Sequence, residues 1–152
     1  RAPLIVVDYA HTPDALQQAL ATLRATTQAR KGRLWCVFGC GGDRDSGKRA
    51  QMGQVAEQGA DHIVLTNDNP RTESADLIIA MIKSGMHTSQ KAHVVTDRAA
   101  AILYSVRHAQ PQDVILVAGK GHETWQEING KKIPFSDAEH THLALAAIGA
   151  NS

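Results

Sequence analysis

Short apolar runs rich in β-branched residues recur along this chain, each followed by a polar loop and then a longer stretch with helical spacing. The runs are LIVVDY (4–9), RLWCVFG (33–39), HIVLTND (62–68), HVVTD (93–97) and VILVAGKG (114–121). Their unbroken apolar character is that of parallel strands buried on both faces, and a parallel strand must be followed by a crossover, usually a helix. The intervening segments carry helix punctuation. Thr12 before Pro13 is an N-cap with proline at the first helical position, Leu16, Leu20 and Leu23 form one stripe, and Gly32 closes the segment. A second helix is expected from near Ser46 to Gly59 with Met52, Val55 and Ala56 inward. A third follows Thr72 with Leu77, Ile78, Met81 and Ile82 inward, and a fourth follows Asp97 with Ile102, Leu103 and Val106 inward. Ser136-Asp-Ala-Glu139 is a capping box ahead of Leu143, Leu145 and Ile148. Asn129-Gly130 before KIPFS (132–136) marks a hairpin. The pattern predicts an α/β fold: a Rossmann-like, doubly wound, mostly parallel sheet of about six strands with helices on both faces and an antiparallel last strand.

Length and charge narrow the function classes. At 152 residues the chain is one domain, 1–152, with enough length for a full core. Sixteen basic against fifteen acidic side chains leave a net charge of +1, so no global field draws it to nucleic acid or to a membrane surface. Small partners are expected, and a monomer. No segment approaches the roughly 20 apolar residues of a membrane span, and the start RAPLIVVDY lacks a secretory leader's apolar region. Cys36 and Cys40 are too few for a disulfide framework and read as free thiols of a cytoplasmic protein. The chain starts almost directly on a strand, which suggests a domain of a longer, multidomain protein.

In open parallel sheets ligands bind beyond the carboxyl ends of the strands, so the loops there deserve the closest reading. They are AHTP, CGGDRD, DNPR and KGHE, all polar or charged behind apolar strands. In DNPRTE (68–73) Asp68 and Asn69 precede a proline, and Arg71 follows. An arginine fork suits a carboxylate and an aspartate suits an ammonium group, so the pair reads as a zwitterion reader; the alternative is an Asx-turn with a solvated arginine. GCGGDRDSGKR (39–49) contains G-x-x-x-x-G-K, but Arg49 stands where a nucleotide-binding loop has Ser or Thr for magnesium, and Asp43 and Asp45 suit no triphosphate. Its glycines allow close backbone approach to a ligand or a plain tight turn, and Arg44 adds a second cation near Arg71. Lys48 and Arg49 are expected on the solvated face of the following helix. In AGKGHE (118–123) Glu123 is the candidate acceptor for a substrate ammonium, and His122 is either a base or structural. His11 and Tyr9 either stack on a nucleotide base or simply start the first helix. His140 and His142, two apart, do not share a helix face, and no metal site is expected.

DYAHTPDAL (8–16), GCGGDRDSGKR (39–49), DNPRTE (68–73) and AGKGHE (118–123), in this order and covering nearly the whole chain, resemble the C-terminal domain of the Mur ligases. DNPR resembles the recognition motif of the branch that adds meso-diaminopimelate, whereas DYAHTP is shared with folylpolyglutamate synthase. The resemblance implies an ATP-dependent amide ligase of peptidoglycan synthesis. In such enzymes the γ-phosphate passes to the terminal carboxylate of UDP-MurNAc-L-Ala-D-Glu, and the amine of diaminopimelate attacks the acyl phosphate. Position by position, Arg44, Asp68, Asn69, Arg71, Gly119 and Glu123 match the family's diaminopimelate contacts. Asp8 matches a ribose-binding position, and Tyr9 and His11 lie where the family's loop meets ATP. The resemblance places the nucleotide loop, the Mg2+ ligands and the UDP-sugar domain in preceding N-terminal and central domains, which would be this domain's partners. It implies no catalytic residue here and an isolated domain that is not itself catalytic. The remaining alternatives are a folylpolyglutamate-synthase-like ligase domain and a stand-alone nucleotide- or metabolite-binding module.

Overall fold

A computed structural model describes residues 2–149. The elements in chain order are β1 (Leu4–Asp8), α1 (Pro13–Ala29), β2 (Leu34–Phe38), α2 (Gly47–Gly59), β3 (His62–Leu65), α3 (Ala75–Lys83), β4 (Ala92–Val94), α4 (Arg98–His108), β5 (Val114–Ala118), β6 (Trp125–Ile128), β7 (Lys131–Pro134) and α5 (Asp137–Ala147). β1 to β5 form one parallel sheet in the order β1-β5-β2-β3-β4. The central strands β2 and β5 are buried at every position, as their unbroken apolar runs require.

The core divides by the two-residue period of the strands. Val114, Leu116 and Ala118 of β5 join Leu34, Cys36 and Phe38 of β2 under α1, α2 and α3, which contribute Leu16, Leu20, Met52, Ala56, Ile78 and Ile82. Ile115 and Val117, with Trp35 and Val37, face the other way onto Ala101, Ile102 and Val106 of α4 and Ala144 of α5. The sheet is therefore wound on both sides. The chain runs outward from β1 to β4 with helices on one face, then returns through α4 on the other face to place β5 between β1 and β2. That reversal opens a crevice at the carboxyl end of β5.

Local signals account for most boundaries. Thr12 Oγ1 accepts from Ala15 N at 3.2 Å, the Asp97 carboxylate from Ala100 N at 2.9 Å, and Ser136 Oγ from Glu139 N at 3.2 Å. The expected helix faces are partly wrong. Leu77, Met81, Leu143 and Ile148 are exposed; Ile78 and Ile82 are buried as expected, joined by Ile79 and by the small Ala144, which lets α5 lie close to α4.

The hairpin also differs from expectation. Asn129 (φ 52°) and Gly130 (φ 74°) form its two-residue turn in the left-handed region that Asn-Gly adopts readily. Yet β6 and β7 make a separate two-stranded sheet, not an antiparallel sixth strand of the main one. Arg71 N donates to Glu127 O at 2.9 Å and Asn129 N to Arg71 O at 2.7 Å, so the hairpin rests on the loop after β3.

At the carboxyl edge of the sheet Arg98 and Asp137 are both fully buried and joined by two 2.7 Å bonds. Arg98 also donates to Asn67 O at 2.8 Å and Ala118 O at 3.0 Å, tying the starts of α4 and α5 to the ends of β3 and β5. Removing one partner strands a buried charge, so Asp137→Ala should lower unfolding free energy by about 3–5 kcal/mol in a urea titration. An unchanged midpoint would show that the pair does not hold this edge.

Candidate functional site

Beyond the carboxyl ends of the strands lies a cavity of about 470 Å³, within the range of small-molecule sites. It is the place where the loops after β1, β2, β3 and β5 meet. Arg44, Asp68, Asn69, Arg71, Gly119 and Glu123 all line it, and so do Tyr9 and His11. Asp8 does not; its carboxylate accepts from Ala10 N at 3.1 Å and shapes its own loop. His122 is exposed and lies outside the lining.

The glycine loop after β2 approaches a neighbouring loop rather than leaving its backbone free for a ligand. A β-carbon at Gly39 would overlap the carbonyl oxygen of Thr66, and one at Gly42 that of Pro70. Gly42 N donates to Asn69 O at 2.7 Å. Around this seam the Asp43 carboxylate accepts from the Thr72 hydroxyl at 2.7 Å, and Glu73 Oε1 accepts from Asp43 N at 2.6 Å.

Arg49 departs from the expected solvated face. It is 1% exposed, donates to Glu73 through both terminal nitrogens at 3.0 and 2.8 Å, and donates to Gly41 O at 2.9 Å. A guanidinium in this position is a strut between the two loops. Its hydrogen bonds, with that from Asp43 N, hold the Glu73 carboxyl down at about 2.

The charged groups of the cavity are arranged in advance. Arg71 has φ 53°, a left-handed conformation unusual for a side-chain-bearing residue, and its backbone is fixed by the hairpin. Its Nη1 donates to Gly42 O at 2.9 Å and its Nε lies 3.3 Å from Glu127 Oε1. Among the described residues its Nη2 makes no hydrogen bond and remains available as one arm of the fork. Arg44 is exposed and, among the described residues, donates only to Asp43 O at 3.2 Å. In the same cavity, Asp68 and Glu123 share the ammonium of Lys120, at 3.1 and 3.7 Å from their nearest oxygens. Gly119 (φ 118°) passes close to this carboxylate; a β-carbon there would sit 3.3 Å from Asp68 Oδ2.

At the cavity mouth Tyr9 is 54% exposed, with its ring 4.5 Å from that of His11. This is an aromatic surface open to a planar partner. Cys40 also lines the cavity, but burial, reinforced by Asp68, pushes its thiol up to about 12, which disfavours the thiolate. Among the described residues no group of three or more His, Cys, Asp or Glu side chains could hold a metal ion. No helix there is long and apolar enough to cross a membrane.

The pattern of the Mur ligase family's glutamate ligase domain matches residues 1–121. The chain belongs to that family. It is 63% identical over 150 residues to the UDP-N-acetylmuramoyl-L-alanyl-D-glutamate–2,6-diaminopimelate ligase of Ralstonia nicotianae, which covers 99% of this chain and 29% of the relative. It is 52% identical over 145 residues to the ligase of the same name from Pseudomonas aeruginosa. A solved structure of a ligase of that name superposes with a TM-score of 0.90 at 47% identity, covering 98% of this chain and 30% of that one. A bifunctional folylpolyglutamate synthase/dihydrofolate synthase from Yersinia pestis shares the fold, with a TM-score of 0.59 at 22% identity over 97% of this chain and 29% of that one. The chain thus spans less than a third of the curated relatives it matches.

Within this Mur ligase domain, sequence reasoning missed Lys120, Glu127 and Trp125. Lys120 stood inside the quoted AGKGHE, but two flanking glycines say nothing about burial. Glu127 and Trp125 belong to the hairpin, whose docking on the Arg71 loop has no local signal. Arg49 was legible: it lies three residues before Met52 and seven before Ala56, on the same buried stripe.

The Glu73 pairing has a pH signature. A carboxyl lowered from about 4.5 to about 2 contributes stability above its unfolded pKa and loses it as pH falls through that window. In urea titrations between pH 6 and 2, the stability difference between wild type and Glu73→Gln should stay constant above about pH 5 and shrink toward pH 2. A difference that does not change with pH would contradict the assigned pairing.

Proposed function

We propose that this chain is the amino-acid-binding domain of a ligase that uses ATP to join meso-diaminopimelate to UDP-MurNAc-L-Ala-D-Glu through an acyl phosphate. The observation that carries the reading is the charge content of one cavity: the guanidinium groups of Arg44 and Arg71 and the carboxylates of Asp68 and Glu123 all line it. Diaminopimelate is a double zwitterion, and this layout complements it. Arg71 and Asn69 take carboxylate oxygens, with Arg44 reaching in from the mobile-length side chain of the β2 loop. Asp68 and Glu123 take ammonium groups. Gly119 leaves the room that a side chain beside Asp68 would fill.

Recognition depends on what would go unpaired. Lysine lacks the second carboxylate, and a guanidinium arm left without a partner in a closed site costs a few kcal/mol, enough for roughly 10²-fold discrimination. Because Glu127 and Gly42 already hold two positions of the Arg71 fork, the free arm is aimed before the ligand arrives.

The domain's contribution to catalysis is placement of the attacking amine. It offers Tyr9 and His11 as a face for the nucleotide. We assign the metal, the γ-phosphate and the UDP-sugar to the remainder of a longer enzyme, consistent with the share of each relative that the chain spans. Free cysteines fit a cytoplasmic setting.

In the full-length protein, Arg71→Ala should raise KM for diaminopimelate about 10²-fold with a much smaller change in kcat. An unchanged KM would overturn the reading, as would turnover with glutamate and a folate in place of diaminopimelate.

A further inference from the structure

Lys120 is fully buried, yet nothing above gives it a task beyond sitting near carboxylates. Its ammonium donates to Asn69 Oδ1 at 2.7 Å and to Trp125 O at 3.1 Å, and it lies 3.1 Å from Asp68 Oδ1. The lysine comes from the loop after β5, its partners from the loop after β3 and from β6. Three separate segments converge on one nitrogen.

A lysine ammonium has three donors and no acceptor, so the atom of Asn69 that faces it must be the amide oxygen. Glu127 N donates to the same oxygen at 3.0 Å. Two donors on one oxygen lock the amide, because a flip would set an NH2 group against both and leave them unpaired. The opposite end of the amide, Nδ2, makes no hydrogen bond to the described residues. Asn69 lines the cavity. An NH2 group held in that orientation is a donor for a carboxylate; the flipped amide would offer an acceptor that repels one.

We infer that Lys120 is a positioning residue for amino-acid recognition: by claiming the Asn69 oxygen it commits the Asn69 amide to donate into the cavity. Its charge at the same time offsets Asp68, so that a ligand carboxylate can approach the Asn69 end without facing an uncompensated negative group. This role rests on the proposed reading that the guest is an amino acid carrying a carboxylate at this end. It separates two jobs that the loop sequence alone runs together: Asn69 reads, and Lys120 sets what it reads.

The test uses the full-length protein and steady-state kinetics with diaminopimelate and with lysine. Lys120→Met should raise KM for diaminopimelate at least about tenfold, leave kcat within about threefold, and lower the diaminopimelate-to-lysine ratio of kcat/KM by about tenfold. Lys120→Gln, which keeps a donor for the Asn69 oxygen, should recover part of that ratio. An unchanged KM, or losses of equal size for both amino acids, would overturn the inference, since a merely structural lysine would not alter selectivity. If Lys120→Met does not fold, Asn69→Asp carries the test. It keeps an acceptor for Lys120 and replaces the cavity donor with an anionic oxygen that repels a carboxylate, so it should reproduce the loss of selectivity; retained selectivity overturns the inference. If Arg71→Ala loses selectivity while the Lys120 and Asn69 variants keep it, this inference alone falls. If all of them keep it, the amino-acid reading falls as well.

Discussion

Three cations with almost no solvent exposure, Arg49, Arg98 and Lys120, sit at the carboxyl edge of the sheet, and each must be neutralised by an acid from another segment. Arg49 takes Glu73, Arg98 takes Asp137, and Lys120 takes Asp68. None of these pairs lies within one element, so satisfying them fixes how the loops are laid against one another. The loop after β3 receives a contact from all three cations, through Glu73, Asn67 O and Asp68. This loop carries the residues we assign to the amino acid. The apolar sheet supplies the rigid floor, and the buried charges convert several polar loops into one preformed wall.

That arrangement explains why few groups in the cavity are idle before a ligand arrives. Arg71 leans on Glu127, Asn69 on Lys120, and Asp68 and Glu123 share an ammonium. Side chains held this way lose little freedom on binding, and their charges need little rearrangement. Arg44 differs: it is exposed, on the loop after β2, and among the described residues donates to the neighbouring backbone alone. The wall therefore combines fixed readers with adjustable cations, Arg44 and the exposed Lys48, a division suited to the longer enzyme that we propose.

Much of this was visible in the residues alone. Continuous apolar runs marked the five parallel strands, and caps at Thr12, Asp97 and Ser136 marked helix starts, because both depend on neighbours in sequence. The polar loops were legible as the lining of one cavity because wound sheets open a crevice at that edge, whatever fills it. What stayed hidden depends on contacts between distant segments. Nothing near Lys120 announces that β6 will cover it, and the hairpin's docking on Arg71 is set by a backbone pairing some sixty residues away. Arg49 was misjudged because its charge outweighed its place on the helix stripe. Leu77 and Leu143 were misjudged in the opposite sense, since an apolar side chain on a surface helix need not point inward.

The central claim is that this preformed wall grips a doubly zwitterionic amino acid. A crystal structure of the full-length protein with meso-diaminopimelate tests it most directly. The account predicts the amino acid in the cavity beyond β5, one carboxylate within hydrogen-bond distance of Arg71 Nη2 and Asn69 Nδ2 and an ammonium against Asp68 or Glu123. Density for the ligand elsewhere, or in this cavity with Arg71 and Asn69 both disengaged, would contradict it.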